Sequence, residues 1–278
     1  MKFRTIYILF NVVVAVSFLF IFFLPFFLLG WDYSVEFWKG SWYLAFFFLA
    51  LLAILNGFFA WNWKVFNLVE KEDWGGLSAH LVERIFVKRR YGSRHAALLV
   101  DAYLLQGDVA GIERLEEELK SRRPVLLRKL AVLFGLTRLL RDRPADAETF
   151  LAPLLGKREV DNWEWLRFDY AFALVLQKKI AEALPHLLEG TSSRDPVLAL
   201  LAAYLLETVV VKAAVPGGAD AEALAAAERV RKDLRKRFPG GRFAQELERA
   251  KGEFQIVVLS RLIDDASKWM MAAEKQAG

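Results

Sequence analysis

Thr5–Trp31 (TIYILFNVVVAVSFLFIFFLPFFLLGW) and Ser41–Trp63 (SWYLAFFFLALLAILNGFFAWNW) contain no charged residue. Each exceeds the ~20 apolar residues that cross a ~30 Å hydrocarbon core as a helix. Lys64 ends the apolar character, and the chain beyond it reads as water-soluble helix. The pattern predicts an all-α protein: a two-helix transmembrane hairpin within residues 1–69 (spans about 6–29 and 41–63), a linker over 70–78, and a helical domain over 79–278. The linker, Glu70–Ser78 (EKEDWGGLS), is charged and then broken by two glycines. This layout excludes a free cytosolic enzyme.

The start MKFR and the apolar run after it could open a secretory signal, but cleavage is not expected, since such a signal has an apolar region of roughly 7–15 residues and a small-residue cleavage site. Here the run continues through Phe18, Phe20, Phe22, Phe23, Phe26 and Phe27 with no Ala-x-Ala. Pro25 removes a backbone donor and is expected to kink the first span. Residues 30–40 (GWDYSVEFWKG) are the only connection, so the spans are expected to be antiparallel neighbours. Trp31, Tyr33, Trp38, Trp42 and Tyr43 crowd that turn, with Trp61 and Trp63 at the other end, where amphipathic rings suit a membrane–water interface. Lys2 and Arg4 precede the first span and Lys64, Lys71, Arg84, Lys88, Arg89 and Arg90 follow the second, whereas the turn holds one lysine, Lys39. Positive charge stays inside. Both termini and the helical domain are therefore expected on the cytoplasmic face of a bacterial inner membrane. Neither span holds an ionisable side chain of the kind that marks a proton relay, ion path or voltage sensor. Asn11, Asn56 and Asn62 are the strongest polar groups there, suited to helix–helix hydrogen bonds or interface positions.

The 278 residues are 55% hydrophobic with a formal charge of +5 and no cysteine, which rules out disulfides, thiol nucleophiles, Fe–S clusters and cysteine zinc sites. The mild basic balance comes with no nucleic-acid-binding motif, and no nucleic-acid partner is expected. Arg84, Lys88, Arg89, Arg90 and Arg94 fall within RIFVKRRYGSR with no acid between them. Such a segment, so soon after the membrane exit, either rests on anionic lipid headgroups or forms the exposed side of a helix with Phe86 in the core.

A period runs through the soluble region. Leu105–Val109, Leu140–Pro144 and Leu176–Ile180 occupy equivalent places, with Gln106, Arg141 and Gln177 separated by 35 and 36 residues. Two-helix units of that length signal a stacked helical-hairpin array. With Gly107, Asp142 and Lys178 as the turns, Val100, Gly135 and Ala171 lie seven residues before them, mostly small. Ile112, Ala147 and Ala183 lie five after, followed by Glu116, Leu151 and Leu187. Tyr103, Arg138 and Leu174 lie four before. In these positions the chain resembles the tetratricopeptide repeat (TPR) family over roughly residues 94–251. Tyr103 stands where the family has an aromatic; Arg138, Leu174 and Glu116 depart from its pattern. Arg237–Ala244 (RFPGGRFA) looks like the proline-ended junction between such units. The resemblance implies a TPR-like α-solenoid that binds protein. Val215–Gly218 is expected to be a longer loop inside a fourth hairpin, and residues 242–276 one long helix sealing the end of the array.

No catalytic constellation stands out. His80, His95 and His186 lack metal-site spacing, Asp264 and Asp265 are neighbours that point apart on a helix, and no phosphate-binding glycine loop or nucleophile elbow occurs. Neither a cofactor nor enzymatic activity is expected. The reading that follows is a membrane-anchored scaffold for an unidentified protein partner, on the two-span plan shared with HemY-type proteins by architecture alone. Trp163, Trp165, Arg167 and Tyr170 are candidates for its partner groove. The rivals are an accessory subunit of a flagellar, secretion or transport apparatus, or a membrane enzyme built around Glu70, Glu72, Asp73 and His80.

The charge asymmetry makes a topology prediction. Alkaline phosphatase fused after Gly278 is expected to be inactive, and the same enzyme fused at Ser34 active. The reverse pattern would move the helical domain across the membrane.

Overall fold

The computed structural model describes residues 3–157, 160–213, 219–239, 242–250 and 254–272. All regular structure among them is helical. The loop expected at Val215–Gly218, the Gly240–Gly241 pair and the chain after Ala272 lie outside the described residues.

Helix α1 (Phe3–Leu29) runs unbroken through Pro25, and α2 (Trp31–Glu70) is a single helix of 40 residues. Only Gly30 separates them, at φ +81°, a conformation that a Cβ would strain. The turn expected over residues 30–40 is thus a one-residue reversal. Its polar residues serve the helix instead: Asp32 sits in the first turn of α2, the Ser34 hydroxyl donates to the Gly30 carbonyl at 2.7 Å, and Lys39 pairs with Glu36 at 3.2 Å. At 1.5 Å per residue α2 is about 60 Å long, twice a hydrocarbon core. The two helices pack antiparallel, Phe18 stacking on Phe48 and Phe22 on Trp38 at centroid distances of 4.7 and 4.5 Å. Tyr7 donates its hydroxyl to Asn56 across the pair, whereas Asn11 and Asn62 bond back to their own helices.

Glu70–Ser78 is not an open linker. Glu72 takes φ +54°, Asp73 accepts the Gly76 N–H at 2.8 Å, and α3 (Trp74–Val82) starts at once, ending in a π-helical turn, Glu83–Val87. The chain divides into compact units at Met1–Gly111 and Ile112–Gly278, rather than at residue 79. Next come α4 (Ser93–Gln106), α5 (Val109–Arg122), α6 (Pro124–Lys129), α7 (Ala131–Leu140), α8 (Pro144–Leu151), α9 (Trp163–Leu176), α10 (Ile180–Gly190), α11 (Pro196–Leu205) and α12 (Ala219–Arg237).

One turn geometry recurs. Glu72, Gly107, Asp142 and Lys178 all have φ between +54° and +68°, at spacings of 35, 35 and 36 residues. After each, the N–H of Asp73, Asp108, Arg143 or Lys179 bonds the carbonyl five residues back, on Leu68, Tyr103, Arg138 or Leu174, at 2.8–3.0 Å. This is the Schellman termination of a helix. Its first instance, Glu72, has the same flanking pattern as the others: Val65, Leu77 and Leu81 are buried at the offsets that hold Val100, Ile112 and Glu116 around Gly107. The C-terminal end of α2 is therefore the first helix of a helical hairpin, with α3 as the second.

Within the second compact unit α7 packs on α8 and α9, α9 on α10, α10 on α11, and α11 on α12. Ala131–Thr137 of α7 and Val197–Ala203 of α11 are buried at every position, so these helices require cover on all sides. Where one long helix was expected to seal the array, the described residues are α13 (Arg242–Ala250), α14 (Phe254–Val258) and α15 (Ser260–Ala272), with α14 against α7 and α15 against α11. Residues 251–253 lie outside the described residues, and the Leu259 N–H donates to the Gln255 carbonyl at 2.9 Å, so helical bonding continues from α14 into α15. Ile256, Leu259, Ile263, Ala266 and Met270 join the core there. Trp269 donates its indole N–H to Glu207 at 3.0 Å beneath the Arg231 guanidinium, and Arg235 Nε donates to the Met270 carbonyl at 2.9 Å.

Among the described residues, three stretches are long and apolar enough to cross a membrane. Tyr7–Leu24 and Ser34–Glu70 are 0% buried, whereas Pro196–Ala213 is 56% buried, its apolar surface taken up by the core around α11.

Ala147 and Ala183 are both fully buried, and Ala221 is exposed. Ala147→Leu and Ala183→Leu are each expected to cost ~1–3 kcal/mol through overpacking, and Ala221→Leu far less. Thermal melts of the full chain in mild detergent check this, and equal melting temperatures would break the assigned register.

Candidate functional site

Two concave sites of the second compact unit are rich in charged side chains. One, about 350 Å³, lies among α5, α7 and α8 and is lined by Glu113, Glu116, Arg138, Arg141, Arg143, Asp146 and Phe150, among others. Arg138 donates to both Glu116 carboxylate oxygens at 2.7 Å and lies 4.1 Å over the Phe150 ring. Arg141 meets Glu113 at 3.0 Å, and Arg143 meets Asp146 at 3.8 Å. Two departures from the repeat pattern, Glu116 and Arg138, are thus each other's partners. Their counterparts one hairpin on, Leu151 and Leu174, are both fully buried.

A polar latch repeats alongside. The residue before each left-handed turn donates to the second helix of the preceding hairpin: Gln106 to the Trp74 carbonyl at 3.0 Å, Arg141 to Glu113 at 3.0 Å, and Gln177 to Glu148 at 2.8 Å. Lys179 reinforces the last at 2.6 Å, and its hydrogen bond holds the Glu148 carboxyl below the usual range.

The smaller recess, about 180 Å³, brings together Trp163 and Arg167 of the expected groove with Glu164, His186, Glu189 and Ser193. Arg167 lies 4.9 Å over the Trp163 ring and pairs with Glu189; Ser193 bonds Glu164. Burial, and then the Arg167 charge, lower the pKa of His186. Trp165 is not part of this surface. It is 4% exposed and donates to Asp195 at 2.8 Å, whose other oxygen caps α11 through the Val197 N–H at 2.8 Å. Tyr170 is half-buried, its ring edge-on to His186 at 5.1 Å.

The basic segment lies in the first compact unit. Lys88 pairs with Glu83 at 2.8 Å, and Arg90 lies 5.5 Å over the Trp61 ring. Arg84 is half-buried; Arg89 and Arg94 are exposed. Ile85, rather than Phe86, fills the core there. Of the residues around which an enzyme was considered, Asp73 is committed to capping α3 and Glu72 to its turn. Burial, then the Lys64 and Arg84 charges, lower the pKa of His80; burial, Arg84 and His80 do the same to His95.

Asp169 went unnoticed in the sequence. It is 0% exposed on α9, both carboxylate oxygens are without a hydrogen-bond partner, and burial raises its pKa well above the ordinary value. Its signal is positional: it stands between Phe168 and Tyr170, four residues after buried Trp165 and four before buried Ala173. Burial also pushes Asp101, on α4, up to about 6. Among the described residues no group of three His, Asp or Glu side chains is placed to hold a metal ion.

The fold defines a class: an all-helical protein that opens with a pair of long, lipid-compatible helices and continues as successive helical hairpins. The chain belongs to the family described as "Uncharacterised Treponema protein", which matches residues 111–272. It is similar to a Treponema pallidum (strain Nichols) protein described as "Uncharacterized protein", at 30% identity over 229 residues, covering 80% of this chain and 73% of the relative. No solved structure matches it. The family match covers almost the whole second compact unit, which holds both concave sites and Asp169.

Asp169 makes a pH prediction. Its folded pKa is raised, so the stability it allows is complete below its unfolded pKa of about 4 and is lost as pH rises towards the folded value. Asp169→Asn cannot ionise. The melting-temperature difference, variant minus native, is expected to grow from pH 4 to pH 7, in melts of the full chain in detergent. A constant difference would mean that the carboxylate already meets water or a cation.

Proposed function

We propose that the chain is a membrane-anchored, TPR-like scaffold. Its two N-terminal helices span the bilayer with both termini inside, and its helical hairpins hold a protein partner at the cytoplasmic face. One observation carries this reading: four Schellman turns at Glu72, Gly107, Asp142 and Lys178, 35 or 36 residues apart, each between paired helices. Regular hairpins that each bury a face against the next are the construction of helical-repeat binding proteins. The partner surface in this reading is the groove among α5, α7 and α8, where three arginines alternate with three carboxylates. Charges of both signs, held in place by their own pairs, suit a polypeptide segment that carries both signs itself.

A second reading, an accessory subunit docked within the membrane, draws on a different observation. An apolar cleft of about 440 Å³ lies between α1 and α2, lined by Phe18, Phe22, Phe37, Trp38 and Phe48, and the Trp38 indole N–H in it has no acceptor.

Affinity purification in mild detergent separates the two. The full chain is expected to retain partners that a chain shortened to Met1–Gly111 loses. Retention of all partners by the short chain would favour docking through the hairpin and overturn the scaffold.

A further inference from the structure

The first helical hairpin folds back along α2. Gly76 lies against Leu68, where an added Cβ would stand 3.0 Å from Leu68 Cδ2. α3 packs along α2. Beyond the π-helical turn, the Arg90 guanidinium lies 5.5 Å over the Trp61 ring. Moving forward from residue 76 to residue 90 is thus moving back along α2 from 68 to 61. Trp61 belongs to the uncharged stretch that ends at Trp63, so the hairpin returns the chain to the depth where α2 leaves the bilayer.

What arrives at that depth is amphiphilic. Val87 is 72% exposed, and on α2 Trp61 is 64% and Phe58 47% exposed. Among the described residues Arg89, Arg90 and Arg94 have no carboxylate partner, and Glu83, the nearest acid, is taken by Lys88 at 2.8 Å. In water this arrangement leaves an exposed apolar side chain and uncompensated positive charge. At a headgroup layer both are satisfied, the valine by acyl chains and the arginines by phosphates.

We propose that the segment from the end of the π-helical turn to the first turn of α4 is a second membrane contact: Val87 enters the acyl boundary, and Arg89, Arg90 and Arg94 bind the phosphates of anionic lipid headgroups. The proposal rests on the reading that α2 crosses the membrane. It commits to lipid because the loop is anchored to Trp61, at the membrane end of α2. Each basic residue near an anionic surface strengthens such a contact roughly five-fold, so the three together are worth roughly a hundred-fold in the occupancy of the docked loop.

The chain has no cysteine, so single-cysteine variants of the whole protein are clean probes. Val87→Cys, Ile54→Cys and Leu105→Cys, each carrying an environment-sensitive fluorophore, are placed in nanodiscs that contain nitroxide-bearing lipid. Ile54 lies within the span, and Leu105, 61% exposed, lies next to the Gly107 turn at the far end of α4. The expected result is strong quenching at Ile54→Cys, none at Leu105→Cys, and quenching at Val87→Cys that rises when phosphatidylglycerol replaces half of the phosphatidylcholine. In the Arg89→Gln/Arg90→Gln/Arg94→Gln background that rise is lost while Ile54→Cys is unchanged. Val87→Cys no more quenched than Leu105→Cys would overturn the proposal, as would quenching equal in both lipids and unaffected by the triple change. Inorganic phosphate added to phosphatidylcholine discs is expected to change nothing; a response matching that of phosphatidylglycerol would reassign the site to soluble phosphate. An unquenched Ile54→Cys would instead show that the spanning reading itself had failed.

Discussion

α2 is a single helix of two compositions, uncharged and apolar from Ser41 to Trp63 and charged from Lys64 on, as a helix shared between lipid and water would be. In lipid, a helix is the form in which a lone segment satisfies its own backbone hydrogen bonds. In water, such a helix persists only where a neighbour covers its apolar face. α2 meets both conditions without a break, because the residues after Lys64 carry the apolar positions of a helical hairpin, Val65 and Leu68, that α3 covers. No flexible joint follows the apolar stretch. The Schellman turn at Glu72 therefore fixes the direction of α3, and α3 brings the basic loop back beside Trp61.

The strongest signals in the sequence were legible. The two uncharged stretches form long antiparallel helices, and Gly107, Asp142 and Lys178, chosen as turns from spacing alone, are the residues that adopt left-handed backbone. Two of these turns lack glycine, so composition alone would have missed them; position in the period located them. The hairpin before Gly107 was hidden because Glu72 lies 35 residues upstream in a stretch whose charges and paired glycines mimic a linker. Gly30–Gly40 misled for the same reason. Its polar residues suit a loop, but they equally furnish the first turns of a helix through the Ser34–Gly30 and Lys39–Glu36 contacts. Asp169 was hidden because one polar residue on an apolar helix reads as its exposed side, and only packing on several sides of α9 buries it.

The residues that broke the repeat pattern are informative for the opposite reason. Glu116 and Arg138 each looked like an error, one at a position otherwise held by leucine and the other at one held by tyrosine or leucine. Together they form one contact, an ion pair with side chains 19% and 18% exposed that occupies the positions of Leu151 and Leu174 one hairpin later. An ion pair largely removed from water returns little net stability compared with well-packed leucines. What it adds is directionality: a guanidinium that donates Nη2 to both Glu116 oxygens and Nη1 to the Phe134 carbonyl, and stacks on Phe150, has one productive geometry, whereas leucines tolerate sliding. The pair also makes the groove polar where it opens to solvent.

The C-terminal helices limit where anything else can bind. α11 and the Ala131–Leu136 part of α7 are apolar on every side, and helices of that kind left uncovered in water would aggregate. The chain covers them itself with α14 and α15, and ties α15 down through Trp269, Glu207, Arg231 and Arg235. A ligand for those helices would have to displace buried Ile263, Ala266 and Met270 together with that polar cluster. The charged groove among α5, α7 and α8 needs no such displacement, since its ion pairs are already made and its opening is already polar. In the proposed scaffold, the charged exterior of the hairpins is therefore the surface that a partner reaches without unpacking the core.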